Sequence, residues 1–123
     1  RQPGFLDQSL FADMAQKAAR SPRGRQHHNL HEMDEPCHRM VIGLQPETYI
    51  PPHRHQALDK AETLVVLKGS LGLLIFDDAG AVVDKRVLQA GGECLGVDLP
   101  VGIFHSLVAV SYTHLRAHET GRN

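Results

Sequence analysis

The sequence predicts an all-β domain, a small antiparallel barrel or sandwich, preceded by one short helix. From Arg25 onward, seven short segments have the composition of β-strands, and turn residues separate them. No stretch after residue 24 shows the apolar spacing of a second helix. Because no helices alternate with the strands, an antiparallel architecture is favoured over a parallel α/β sheet.

Residues 6–20 have the apolar spacing of one amphipathic helix. Asp7 is the expected N-cap, with Leu6 just outside it. The Ser-Pro-Arg-Gly segment at 21–24 ends the helix, because proline cannot continue it and glycine permits the exit. We expect this helix to cover the rim or an edge of the β domain. Its apolar face is formed by Leu6, Leu10, Phe11, Met14, Ala15 and Ala18.

The strands are delimited by turn signals. Asp77-Asp78-Ala79-Gly80 predicts a hairpin loop between two apolar segments, 89–93 predicts another turn, and Gly69 marks a tight bend. The predicted strands are 25–31, 38–45, 62–68, 70–77, 81–88, 94–98 and 103–110.

The last segment, 111–123, does not fit this pattern. It is polar, and we find no strand alternation in it. Its letters SYTHLRAHETGRN resemble translated sequencing-adapter read-through. We therefore divide the chain into an N-terminal helical segment (1–24), a β-barrel domain (25–110) and a non-native-looking tail (111–123), which we expect to contribute little stability. The alternative is a helix on which His114 and His118 chelate a metal.

Composition excludes several classes of partner. The 13 basic and 14 acidic residues give a net charge of −1, so nothing favours nucleic acid or an anionic membrane surface. No apolar segment is long enough to span a membrane. Cys37 and Cys94 do not form a CxxC pair, and we interpret them as reduced thiols. No signal-peptide pattern precedes the helix, and we expect a cytoplasmic protein.

A metal site is the strongest functional prediction. His53 and His55 are two residues apart, so on a strand both imidazoles point to one face. Glu62 and His105 supply two further ligands, and Pro51-Pro52 stiffens the approach to His53. Three imidazoles and a carboxylate suit one divalent transition metal, namely Fe²⁺, Mn²⁺, Ni²⁺, Co²⁺ or Zn²⁺. Alternatively, Glu62 orients a histidine without binding the metal.

These residues resemble the two motifs of the cupin superfamily. His53-x-His55, Glu62 and Gly69 are similar to the first motif, and Pro100-x-Gly102-x-x-His105 is similar to the second. The sequence departs from the pattern in three places. The insertion 56–61 lengthens the gap before Glu62, Gly43 lies far from His53, and Ala109 occupies a position where asparagine is usual.

The segments PPHRH, AETLVVLKGSLGLLIFDDAG and VDLPVGIFHSLVAV, with the upstream NLHE, are more narrowly similar to WbuC-type cupin-fold metalloproteins. The resemblance covers Phe5 to Val110. It implies a double-stranded β-helix (a small antiparallel jelly roll), a metal centre, and a link to bacterial O-antigen or other surface-polysaccharide biosynthesis. A sugar or nucleotide sugar is the implied small-molecule ligand, and cupins often form homodimers.

Residues upstream of the metal motif are candidates for substrate binding. Strand alternation places Arg25, His27, Asn29 and His31 on one face. We predict substrate contacts for Asn29, His31, Arg39 and Tyr49. The competing interpretation is an exposed polar strand face, with Arg39 in a surface salt bridge.

The function predicted from these patterns is a metal-dependent isomerase, epimerase or lyase. Such chemistry needs a Lewis acid and a general base, and His31, or Glu62 if it is not a ligand, is the candidate base. Two alternatives remain open, a non-catalytic metal-dependent sugar- or effector-binding module and an iron-dependent dioxygenase.

Overall fold

The computed structural model describes residues 2–32, 34, 35, 37–54 and 61–119, with His118 and Glu119 described by their backbone alone. Its helix α1 spans Gln8–Arg20. The side chain of Asp7 accepts a hydrogen bond from the backbone N–H of Leu10 at 2.9 Å, so the predicted N-cap is confirmed. The buried face of α1 carries Met14 and Ala18, and the helix packs against the first two strands.

Nine strands lie within the described residues. They are β1 (Arg25–Asn29), β2 (His38–Leu44), β3 (Tyr49–His53), β4 (Glu62–Lys68), β5 (Ser70–Phe76), β6 (Val82–Gln89), β7 (Gly96–Leu99), β8 (Phe104–Ala109) and β9 (Thr113–Glu119). Seven of them match the predicted strands with small shifts at their ends, whereas β3 and β9 were not among the predictions.

The strands form two antiparallel sheets, and the all-β jelly-roll prediction is confirmed. One sheet has the order β1-β2-β9-β4-β7, and the other has the order β3-β8-β5-β6. The core lies between the two sheets, where side chains from alternate positions of both interdigitate. It contains Ile42, Leu44, Leu64, Val66, Leu71, Leu73, Leu88, Leu99, Leu107, Ala109, Leu115 and Ala117.

Strand β3 was missed because its centre is Pro51-Pro52. Proline cannot donate a backbone hydrogen bond, so within a sheet it is confined to edges and bulges. The structure satisfies both conditions, since β3 is the edge of the four-stranded sheet and its pairing with β8 shifts register between Ile50 and His53. His53 is therefore the last residue of a strand that the sequence did not predict.

The prediction that 111–123 is an undocked tail is wrong for residues 113–119. These residues form β9, which pairs with β2 on one side and β4 on the other. Thr113, Leu115 and Ala117 are buried at alternate positions, a weak apolar pattern because only one of the three is a large apolar residue. The segment's origin as adapter read-through stays a prediction.

The helix contacts the outward face of β9 at His114. The imidazole of His114 stacks on Phe11 of α1 with ring centroids 4.3 Å apart, and its Nε2 contacts the hydroxyl of Tyr112 at 3.0 Å. His114 lies on a strand and not on a helix, so the alternative of a helical His114–His118 chelate is excluded.

Gly69 is required by the bend between β4 and β5. Its φ of 85° lies in the left-handed region that favours glycine. A Cβ built there would collide with the carbonyl oxygen of Tyr112. The tight bend predicted at this motif glycine is confirmed.

Among the described residues, no helix is long and apolar enough to cross a membrane.

If β9 is an integral strand, truncating its buried leucine will destabilise the protein. Leu115 is 1% exposed, so Leu115→Ala should lower the free energy of unfolding by about 2–5 kcal/mol through lost burial and a cavity. Val83 is 60% exposed, so Val83→Ala, the control, should change the free energy of unfolding by less than about 0.5 kcal/mol. Urea unfolding followed by circular dichroism measures both values. Equal stabilities of the two variants would contradict the placement of β9.

Candidate metal centre

Two histidines face each other across neighbouring strands. His53 ends β3 and His105 lies near the start of β8, and the two are direct partners in the antiparallel register. Their ring centroids are 4.3 Å apart and the ring planes are inclined by 53°. Sheet pairing therefore brings together two imidazoles that are 52 positions apart in the sequence (105 − 53).

Each imidazole is oriented by an equivalent hydrogen bond to the carbonyl oxygen two residues earlier in the chain. Nδ1 of His53 lies 2.9 Å from the carbonyl oxygen of Pro51, and Nδ1 of His105 lies 2.9 Å from that of Ile103. A carbonyl oxygen only accepts, so each Nδ1 carries a proton and donates it. In a neutral ring the lone pair is then on Nε2, which is the arrangement commonly found in histidines that bind metals.

The carboxylate of Glu62 comes from the other sheet. It begins β4, and its Oε1 lies 3.5 Å from Nε2 of His105. The potential ligand atoms of His53, Glu62 and His105 all lie within 4.8 Å of one another. The structure thus brings together three of the four predicted ligands. The fourth, His55, lies outside the described residues.

His105 is the most buried of the three, with 2% exposure. Burial, the largest influence, lowers the pKa of His105. The carboxylate of Glu62 and the carbonyl of Ile103 act in the opposite direction and together leave that pKa above its ordinary value. At 3.5 Å the contact with Glu62 is too long for a good hydrogen bond, so it acts mainly through charge.

The donor set fits a divalent transition metal. Nε2 of His105 is buried and has no hydrogen-bond partner among the described residues, an arrangement that costs free energy unless something binds there. Neutral imidazole nitrogens beside a carboxylate are ligands typical of Fe, Mn, Co, Ni and Zn.

Arg54, between the two motif histidines, holds the end of β3 in place. Its guanidinium donates to the carboxylate of Asp78 at 2.8 Å and lies 4.9 Å above the ring centroid of Phe104. Phe104 precedes His105, and Asp78 belongs to the β5–β6 hairpin. This contact links the ends of both histidine strands to that hairpin.

The triad lies in a cavity of about 340 Å³ between the sheets. Glu62, His53 and His105 form one part of its wall, and apolar side chains form most of the remainder. The apolar residues are Met40, Ile42, Ile50, Leu64, Leu107, Leu115 and Ala117, and the other polar ones are Arg25, His27, Asn29, His31 and His38. A mostly apolar pocket with a few convergent polar groups is typical of small-molecule sites.

Two of the four predicted substrate contacts line this cavity, and two do not. Asn29 and His31 belong to its wall. Arg39 lies on the other face of β2, where it pairs with Glu35 at 2.9 Å, as the salt-bridge alternative predicted. Tyr49 is 54% exposed and points outward, because its neighbour Ile50 points into the cavity.

The sequence interpretation missed His38. This residue begins β2, is 7% exposed, and stacks on His31 with ring centroids 4.2 Å apart and planes inclined by 7°. The available signal was the alternation that places His38 on the same face as Ile42 and Leu44, both of which belong to the core.

Solved structures with the same fold support this architecture. An oxalate oxidase in complex with the substrate analogue glycolate matches with a TM-score of 0.67 and 21% identity, and covers 84% of this chain. This chain spans 54% of that oxidase chain. KdgF from Halomonas sp. matches with a TM-score of 0.67 and 16% identity over 84% of this chain and 83% of its own.

A third structure contains metal centres. Oxalate decarboxylase from Bacillus subtilis, studied for its Mn(II) centres, matches with a TM-score of 0.61 and 19% identity over 79% of this chain and 25% of its own. These neighbours are cupin-fold proteins, so the cupin jelly-roll fold implied by the two motifs is confirmed.

Comparison at the level of sequence gives a family. No functionally curated protein matches the chain. A family model described as a domain of unknown function, DUF6016, matches residues 6–88, which include α1, Glu62 and Gly69. The chain therefore belongs to the DUF6016 family and has the cupin fold.

Proposed function

We propose that this protein binds one divalent transition metal through His53, Glu62 and His105, with His55 as a fourth ligand, and acts as an enzyme on a small polar, sugar-derived substrate. The observation that carries the proposal is the convergence of two backbone-oriented imidazoles and a carboxylate at the wall of the cavity between the sheets. A divalent metal there would supply Lewis acidity to polarise a carbonyl or hydroxyl group.

His31 is the candidate general acid–base. Its Nδ1 lies 2.9 Å from the backbone N–H of Arg39 and 2.8 Å from the carbonyl oxygen of the same residue. One tautomer accepts from the N–H, and the other donates to the carbonyl. The ring can therefore move its proton between nitrogens and keep a backbone partner, leaving Nε2 to give or take a proton at the substrate.

The apolar wall has a separate role in this proposal. Met40, Leu64 and Leu107 exclude water from one side of a bound substrate. In a less polar environment the charges of the triad act more strongly on the reacting group than they would in water. Removing a proton next to a polarised carbonyl is the step common to isomerase, epimerase and lyase reactions.

The narrower parts of the proposal rest on the sequence resemblance. Five of these proposals rest on the sequence patterns alone. They are WbuC-type identity, a role in surface-polysaccharide biosynthesis, a nucleotide-sugar substrate, a homodimer and a cytoplasmic location. The identity of the metal is open among Fe, Mn, Ni, Co and Zn, and the Mn(II) centres of the decarboxylase make manganese the first to test.

The metal stoichiometry tests the site directly. Protein purified from metal-replete cells should contain close to one transition metal per chain, measured by elemental analysis. His105→Ala should weaken metal affinity by more than about 100-fold, because even outer partners of metal ligands contribute about 10–100-fold. His28→Ala is the matched control, since His28 is exposed and does not line the cavity. Equal metal content in the two variants would contradict the site.

Metal binding should weaken in acid. The pKa of His105 is raised in the metal-free site, so below that pKa the ring is an imidazolium and cannot bind. Affinity should fall about tenfold per pH unit below the raised pKa and level off above it. Calorimetry of manganese binding in two buffers with different ionisation enthalpies measures the released proton. An affinity that is constant between about pH 5 and 8 would contradict neutral histidine ligands.

Catalysis is tested by proton exchange. Metal-loaded protein incubated in D₂O with dTDP-4-keto-6-deoxyglucose, which carries a carbonyl on its sugar ring, should incorporate deuterium at a carbon next to that carbonyl, and NMR follows the exchange. His31→Gln should slow this exchange by about 10²–10⁴-fold with unchanged metal content, and His28→Gln should not slow it. Binding without exchange would favour the non-catalytic module, and oxygen consumption by the Fe²⁺ form would favour the dioxygenase.

A further inference from the structure

The inner face of β1 is polar, although the inner face of the rest of its sheet is mostly apolar. Arg25, His27 and Asn29 are the alternate residues of β1 that line the cavity, and each pairs with an apolar residue of β2. Strand β1 is the edge of the five-stranded sheet, so these side chains lie where the cavity opens. An edge strand with polar residues on its inner face can bind a polar ligand that enters between the sheets.

Arg25 is the unusual member of this row. It is half-buried, and no carboxylate of the described residues forms an ion pair with it. Two other half-buried arginines of the described chain are paired, Arg39 with Glu35 and Arg54 with Asp78. Withdrawing a guanidinium from water without a counter-charge costs free energy, so the position of Arg25 favours a negatively charged ligand.

Arg25 and the metal triad lie at different levels of the barrel. Glu62 and His38 both pair with Glu119 of β9, so they lie in the same row of the sheet. Arg25 pairs with Leu44, which is six residues further along β2 than His38. Residues 38 and 44 are separated by about 20 Å of strand, at about 3.3 Å per residue. A ligand that contacts both ends of the cavity is therefore longer than one sugar ring.

We propose that the cavity binds an elongated, hydroxylated organic anion whose carboxylate or phosphate pairs with Arg25. His27 and Asn29 hydrogen-bond its hydroxyl groups, and its other end reaches the metal, so this part rests on the proposed function. Acidic disaccharides and nucleoside diphosphate sugars share this chemistry. Arginine suits both anions because its planar guanidinium forms two parallel hydrogen bonds with either.

Titration calorimetry of the manganese-loaded full chain tests the proposal with three probes. Cellobionate carries a carboxylate, UDP-glucose carries a diphosphate, and cellobiose is a neutral disaccharide of matched length. At least one anion should bind tenfold or more tightly than cellobiose, and the anion that does so identifies the charged group. Arg25→Gln should remove this preference, because a charged hydrogen-bonded pair contributes about tenfold or more to binding.

Arg86→Gln is the matched control, because Arg86 is an exposed strand arginine outside this cavity, and it should keep the preference. Arg25→Lys, which keeps the charge but not the paired hydrogen bonds, should retain part of it. A preference that survives Arg25→Gln, or no anion preference in the wild type, would overturn the inference. Metal content measured on the same samples separates this result from the metal site, since Arg25 is not a ligand. Absence of metal with the anion preference intact would overturn the proposed function alone.

Discussion

The candidate metal centre depends on the packing of two sheets against one core. His53 and His105 belong to the four-stranded sheet and Glu62 belongs to the five-stranded one, so no single sheet contains the triad. The distance between ligands is set by the side chains that separate the sheets, such as Leu64 and Leu107. A cavity-forming substitution in this layer would therefore be expected to change the metal site as well as the stability.

Local backbone geometry does the rest of the positioning. Each histidine donates its Nδ1 proton to a carbonyl two residues earlier, so ring orientation depends on strand conformation and not on a distant partner. The prolines before His53 limit the conformations of its strand, and Arg54 holds the end of that strand over Phe104. These constraints bring both rings beside the carboxylate of Glu62, with one potential ligand atom from each residue within 4.8 Å of the others, so a metal ion could bind with little reorganisation.

The sequence predicted the residues whose chemistry is distinctive. Turn residues delimited seven of the strands, and the resemblance carried by the histidines, Glu62 and Gly69 implied a jelly roll and a set of candidate ligands. Prediction failed where pairing decides the structure. Thr113, Leu115 and Ala117 have little strand signal of their own. They nevertheless lie in a central strand, because β2 pairs with all seven residues of β9 and β4 pairs with six of them. Arg39 and Tyr49 do not line the cavity, and the sequence could not show on which face of the sheet they lie, because a shift of one residue in register moves a side chain to the opposite face. The positions of His38 and Arg25 in the cavity also depend on strand pairing. The pairing places His38 in the same row as Glu62 and pairs Arg25 with Leu44.

X-ray absorption spectroscopy of the zinc-loaded full chain tests the central claim most directly. The account predicts a first shell of nitrogen and oxygen at about 2.0–2.2 Å, with the outer-shell scattering of at least two imidazole rings. A sulfur shell at about 2.3 Å, which would assign the metal to a cysteine, or a shell of oxygen alone would contradict it.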